Sequence, residues 1–174
     1  MSFVVRPARP EEYAEAGRVT AEGYHADQLL SGHGESADTG YEVRLRDAAQ
    51  RARESELLVA VDDAGQVLGT VTWCPAGSPW RELAARADQG EFRMLSVAAA
   101  GRRQGVGRAL VDACLERARA AGMTEVVISS LPEMTAAHAL YRRLGFVLAP
   151  ELNHSPVPGV NLWGFRLRLD PDPH

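Results

Sequence analysis

The chain has 174 residues, 45% hydrophobic and 24% charged, a balance that supplies one packed core and excludes disorder as the starting assumption. Its formal net charge of -4, with 19 basic residues that are all Arg, excludes the strongly basic balance of a non-specific nucleic-acid binder. Residues 1–10 lack the apolar stretch of a secretory signal and no apolar run approaches a membrane span, so a cytoplasmic protein with no membrane partner is expected. Residues 2–6, with Val4 and Val5, read as a first strand that Pro7 ends. Pro10-Glu11-Glu12 opens a helix running to residue 25, with Pro at its start and acids in its first turn. The polar, Gly-rich stretch 31–40 is a loop, and 41–54 suits a second helix. Residues 57–61 and 67–74, joined by Asp62-Asp63-Ala64-Gly65, read as a hairpin.

Residues 75–79 break the sheet and 81–90 form a polar connection. Residues 92–97 are the next strand, followed by a loop, 98–107, with three glycines. Val106, Ala109, Leu110, Ala113, Cys114 and Ala118 recur at helical spacing, and Gly122 caps that helix. Cys114 lies on its apolar side as a small buried hydrophobe; it and Cys74 fit no CxxC spacing, which points to a reducing compartment. Residues 126–128 form a short buried strand, 135–144 a helix closed by Gly145, and 146–148 and 162–169 two more strands. Residues 170–174 read as a frayed tail. The expectation is a single α/β (α+β) domain over 1–174, with a mixed sheet of seven strands and four helices.

The chemistry centres on Arg102-Arg103-Gln104-Gly105-Val106-Gly107, between a strand and a helix. Glycines let a backbone turn tightly and approach a ligand, and a helix N-terminus offers free N–H groups to an anion. The alternative is a Gly-containing turn with solvated arginines. A dinucleotide fingerprint would need a third Gly where Leu110 stands, and a phosphate loop of the Gly-Lys-Ser/Thr type is excluded because the chain has no Lys.

The stretch RMLSVAAAGRRQGVGRALVDACLERA resembles the acetyl-CoA-binding motif of the GNAT acetyltransferases, matching at Arg102, Gly105 and Gly107. About thirty residues later AAHALYRRLGF resembles the second motif of that family, at Ala137, Tyr141, Gly145 and Phe146. The clear likeness covers roughly residues 57–148. It implies a GNAT-type twisted sheet whose fourth and fifth strands, 92–97 and 126–129, splay apart to admit acetyl-CoA. It implies N-acetyl transfer to a primary amine of a small molecule or peptide, with a non-catalytic acyl-CoA sensor and another acyl-CoA donor as alternatives.

The resemblance also implies roles. Backbone groups of Leu95, Ser96 and Val97 pair with the pantetheine arm. Arg102, Arg103, Gln104, Gly105, Val106 and Gly107 hold the pyrophosphate, with Arg108 opening the helix. Tyr141 donates a proton to the departing thiolate; its alternative role is an amphipathic Tyr closing a core helix. Glu91 stands where histone-type members carry a catalytic base; its alternative is a solvated Glu at a strand start. Ser129, at a second family base position, is a poor base. Met134 stands where many members have an Asn on the pantetheine, and Ala137 lies one turn along the same helix. Trp73, Trp80 and Tyr24 are candidates for an acceptor pocket, with ordinary core or surface aromatics as the alternative. His138 is a candidate to approach the cleft, and the 31–40 loop, with His33, a candidate lid. None of His25, His33, His138, His154 or His174 forms a metal spacing, so no metal is expected. A homodimer through strand 162–169 is a further possibility.

Overall fold

The continuous apolar run near residues 57–61 follows from a strand covered on both faces. In the computed structural model, which describes residues 2–26, 43 and 46–169, β2 (Glu56–Asp62) sends Leu57, Val59 and Val61 to one face and Leu58 and Ala60 to the other. The first set packs on α1 (Tyr13–Ala26) and α2 (Ala48–Glu54) through Ala16, Val19 and Ala48. The second joins the larger core under α3 (Val106–Ala120) and α4 (Thr135–Arg143). Asp47 caps α2 by accepting a hydrogen bond from the Gln50 N–H.

The remaining strands are β1 (Phe3–Pro7), β3 (Val67–Cys74), β4 (Gln89–Val97), β5 (Glu125–Ser130), β6 (Val147–Leu148), β7 (His154–Val157) and β8 (Val160–Arg168). They form an eight-stranded sheet in the order β1-β2-β3-β4-β5-β8-β6, with β7 also pairing β8. Every pairing is antiparallel except β4 with β5, which is parallel. That parallel pairing covers only Gln89–Glu125, Gly90–Val126 and Glu91–Val127. Beyond it the two strands part, so the splay implied by the sequence is present.

The sheet has one strand more than the seven expected. Pro158 and Gly159, the latter at φ +86°, turn the chain between Val157 and Val160 and fold β7 back on β8. β4 begins three residues early, at Gln89, where it pairs with β5. The first helix opens as a 3-10 turn, Pro10–Glu12. Of the expected helix 41–54, residues 41, 42, 44 and 45 lie outside the described residues, as do the whole 31–40 loop with its His33 and the tail 170–174. Strand β8 is no free edge for a dimer, because β5 holds one side of it and β6 and β7 the other. Among the described residues no helix is long and apolar enough to cross a membrane.

Gly69 of β3 sets how closely α3 approaches the sheet. A Cβ there would lie 2.8 Å from a methyl of Val106 and 3.0 Å from one of Leu110. Gly69→Val therefore overpacks the seat of α3 and is expected to cost about 1–3 kcal/mol, lowering Tm by roughly 3–10 °C. Thermal unfolding of the variant beside the parent checks this.

Candidate active site

The site is built where β4 changes phase. Phe92 faces the core under α3 and α4, yet Met94 joins a separate cluster with Ala21, Cys74, Trp80 and Leu131. Residues two apart on a regular strand share a face. A bulge breaks the rule: the register slips between Thr70 and Thr72 of β3, and Met94 takes φ +57°. A left-handed non-glycine residue costs about 1–2 kcal/mol. After the bulge Leu95 and Val97 face the large core, and the Ser96 hydroxyl donates to the Val19 carbonyl of α1 at 3.0 Å. The Ser96 side chain is thus occupied, which leaves backbone groups as the means by which this segment can bind.

β4 then runs into the Gly-containing loop. Arg103 (φ +63°) and Gly105 (φ +78°) are both left-handed, and Gly105 is the N-cap of α3. Residues 102–105 form a turn, and among the described residues the N–H groups of 103–108 make no close main-chain hydrogen bond; the first that does is that of Ala109, to the Gly105 carbonyl. Gln104 braces the turn by donating to the Ala100 carbonyl at 2.6 Å. A Cβ on Gly105 would meet nothing within 4 Å. The result is a concave run of free N–H groups at a helix N-terminus, flanked by the exposed Arg102, Arg103 and Arg108, a fit for a diphosphate. Val106 is buried, and Gly107 packs near Leu140 of α4 and Val97, so the cradle is seated on the core.

Tyr141 lies on α4 at 5% exposure, its ring edge-on to Phe92 and against Phe146 and Phe165. Its hydroxyl makes no hydrogen bond among the described residues. Burial pushes the phenol well above its ordinary range, so it stays protonated at neutral pH. One turn earlier, Ala137 packs on the large core and Met134 stands at the N-cap of α4 without a side-chain cap. His138 is buried, stacked on Trp163 at 5.6 Å, with Nε2 3.1 Å from the Ser130 hydroxyl of β5. Burial holds its pKa below the usual imidazole range.

Glu91 is fully buried at the last position of β4 that pairs with β5. Its carboxylate accepts from the backbone N–H groups of Glu82, Leu83 and Ala84 at 2.9–3.2 Å. Desolvation pushes its pKa up, opposed by those three N–H groups and by Arg93. The turn it holds carries Glu82, which pairs with Arg93 at 2.8 Å and with His154 of β7 at 3.2 Å. The Arg93 guanidinium also lies 5.8 Å over the Trp80 ring. This Arg93–Glu82–His154 cluster was not legible in the sequence, because its members come from three separate segments with no motif between them. Trp80 belongs to it, on the face of α1, whereas Trp73 is in the large core under α3 and does not line the same face. Nothing is described of the Tyr24 side chain. Ser129 is half-buried, on the part of β5 beyond its pairing with β4.

Two other features lie apart from the opening. An arginine-lined hollow formed by Arg86, Thr124, Glu125, Arg166 and Arg168 sits at the start of β5, the end remote from the loop. Glu125 is neutralised there by Arg86 at 3.1 Å and Arg166 at 2.8 Å. Among the described residues no group of three or more His, Cys, Asp or Glu side chains is placed to hold a metal ion. Cys74 and Cys114 are free and buried, and burial pushes the Cys74 thiol up to about 12.

A parallel strand pair that opens at its C-terminal end, beside an anion cradle, is a site for a phosphate-bearing ligand. The model of the acetyltransferase (GNAT) family matches residues 24–146. The chain belongs to the GNAT acetyltransferase family. This GNAT protein is 33% identical over 132 residues to the L-methionine sulfoximine/L-methionine sulfone acetyltransferase of Pseudomonas aeruginosa, covering 70% of each chain. It is 35% identical over 85 residues to N-acetyltransferase family 8 member 3 of Rattus norvegicus, over 49% of this chain and 36% of the rat protein, about a third of that relative's length. Its fold matches the PaiA N-acetyltransferase of Thermoplasma acidophilum in complex with coenzyme A, with a TM-score of 0.74 and 13% identity over 97% of this chain and 100% of that one. It also matches YncA of Salmonella typhimurium with its cofactor acetyl-CoA, with a TM-score of 0.65 and 21% identity over 98% and 95%.

Removing the Glu91 carboxylate takes the acceptor from three part-buried N–H groups and empties a fully buried position; a fully buried donor left unsatisfied costs about 1–3 kcal/mol, and a part-buried one less because water reaches it. Glu91→Ala is therefore expected to lose about 1–3 kcal/mol, and Glu91→Gln, whose carbonyl still accepts, less. Denaturant unfolding of both variants measures the difference.

Proposed function

We propose that this GNAT acetyltransferase uses acetyl-CoA to acetylate the primary amine of a small acceptor by direct attack. The observation that carries the reading is the cradle of free N–H groups at residues 103–108, standing at the end of β4 beside the opening between β4 and β5. When bound, acetyl-CoA supplies an activated acyl thioester. The N–H groups of 103–108 hold its pyrophosphate, and Arg102, Arg103 and Arg108 add positive charge. The backbone of Leu95, Ser96 and Val97 on the open edge of β4 pairs with the pantetheine arm, and Met134 and Ala137 flank it from α4.

Tyr141 gives its hydroxyl proton to the sulfur as the thiolate leaves, and the proton that the attacking amine loses returns through solvent to restore the phenol; burial keeps the phenol protonated beforehand. Glu91 we assign to positioning. Its lone pairs are committed to the 82–84 turn, and it places Glu82 and Trp80 on the acceptor face. For the acceptor we put free amino acids first, by likeness to the Pseudomonas aeruginosa enzyme, whose L-methionine sulfoximine and L-methionine sulfone are of that class.

Tyr141→Phe is expected to bind acetyl-CoA as the parent does and to lose about 10²–10⁴-fold in kcat. Thiol release on an amino-acid panel measures it. Unchanged kcat removes Tyr141 from the chemistry, and turnover confined to amines other than amino acids rejects the acceptor class alone.

A further inference from the structure

Ser130 is the last residue of β5, on the part of the strand that has lost β4 as a neighbour. By the alternation of β5 it shares the face of Val126 and Ile128, which belong to the core under α3 and α4. It also lies at the seam with the second cluster, since its hydroxyl is 3.6 Å from the Met134 sulfur. The C-terminal end of β5 is the same end of the parallel pair at which the anion cradle follows β4.

The hydroxyl has one good partner. His138 Nε2 is at 3.1 Å, while the Leu131 carbonyl at 3.5 Å and the Met134 thioether at 3.6 Å are a long contact and a weak acceptor. A serine hydroxyl carries one donor and two acceptor sites. One neutral imidazole satisfies a single site, so this buried hydroxyl keeps strong hydrogen-bonding capacity in hand. The imidazole is itself fixed, stacked on Trp163 and packed at 5.0 Å on Phe165, whose ring also meets Tyr141 at 5.8 Å. The pair satisfies one site on each partner, which leaves the hydroxyl's remaining sites for a ligand.

We propose that the Ser130 hydroxyl, oriented by His138, is the hydrogen-bond partner of an amide of the pantetheine arm where that arm passes the end of β5. A peptide-like amide offers both a donor and an acceptor, so either imidazole tautomer leaves Ser130 a match. Ser130 is then a binding residue and His138 a positioning residue that acts through it. The assignment rests on the acetyl-CoA reading above.

Calorimetry with two ligands tests it: acetyl-CoA, and adenosine 3′,5′-bisphosphate, which lacks the pantetheine arm. Ser130→Ala is expected to weaken acetyl-CoA roughly three- to tenfold, the size of one hydrogen bond, and to leave the bisphosphate unchanged. His138→Phe is expected to weaken acetyl-CoA in the parent and to add nothing once Ser130 is Ala. If Ser130→Ala does not fold, Ser130→Cys keeps the shape, weakens the hydrogen bond and carries the same comparison. A parent that binds acetyl-CoA while the Ser130 variants bind it equally well overturns this assignment alone. Equal weakening of both ligands overturns it too, since the effect would not come from the arm. A folded parent that binds neither overturns the acetyl-CoA reading and this inference with it.

Discussion

Past Glu91 and Val127 the facing edges of β4 and β5 no longer have each other as hydrogen-bond partners. Backbone N–H and C=O groups inside a protein require partners, so an opened parallel pair in the middle of a sheet is stable only if something supplies them. The fold around the opening answers this need in parts. β4 keeps β3 on its other side, β5 keeps β8, and the bulge at Met94 turns β4 away so that its final residues lead into the cradle. The edge left unpaired on β4 is the edge that a peptide-like arm can take up, in the manner of an added strand. The break in the sheet therefore supplies the unpaired edge on which the proposed binding depends.

The opening is held from both faces. On one, Phe92, Phe146, Phe165 and Tyr141 close the base of the gap under α4. On the other, Glu91 gathers the 82–84 backbone, and Glu82 in turn ties Arg93 of β4 to His154 of β7. That second set links strands from the two halves of the sheet across the line where the ladder is broken. The Arg93 side chain is only 8% exposed, so its pairing with Glu82 keeps that charge from being buried alone.

Much of this was legible in the sequence. The helical spacing of α3 and α4, the strand ahead of the loop and the glycines within it are local signals, and local signals survive without a structure. Gly105 reads as a turn residue because the left-handed φ it adopts is a backbone requirement visible in residue type. The β7–β8 hairpin has a turn signal in Pro158-Gly159, but the strand before it holds only four residues and includes Pro156, so no strand pattern marks it in the sequence. The role of Glu91 could not be seen, since it depends on three N–H groups seven to nine residues earlier that the fold brings beneath it. The phase change at Met94 was equally hidden: nothing in Arg93-Met94-Leu95 marks a left-handed methionine, which sits at the register slip against β3 and packs in the cluster with Trp80 and Leu131. The place of His138 one turn before Tyr141 is visible in the sequence, but its tie to Ser130 crosses from helix to strand.

The central claim is that residues 103–108 form the seat of the acetyl-CoA pyrophosphate. Isothermal titration with acetyl-CoA, on the parent and on the double variant Gly105→Asp/Gly107→Asp, tests it most directly, because each Asp places a negative charge beside the cradle. The account predicts binding by the parent and loss of binding by a variant that circular dichroism shows to be folded. Equal binding by the two proteins, or none by the folded parent, would contradict it.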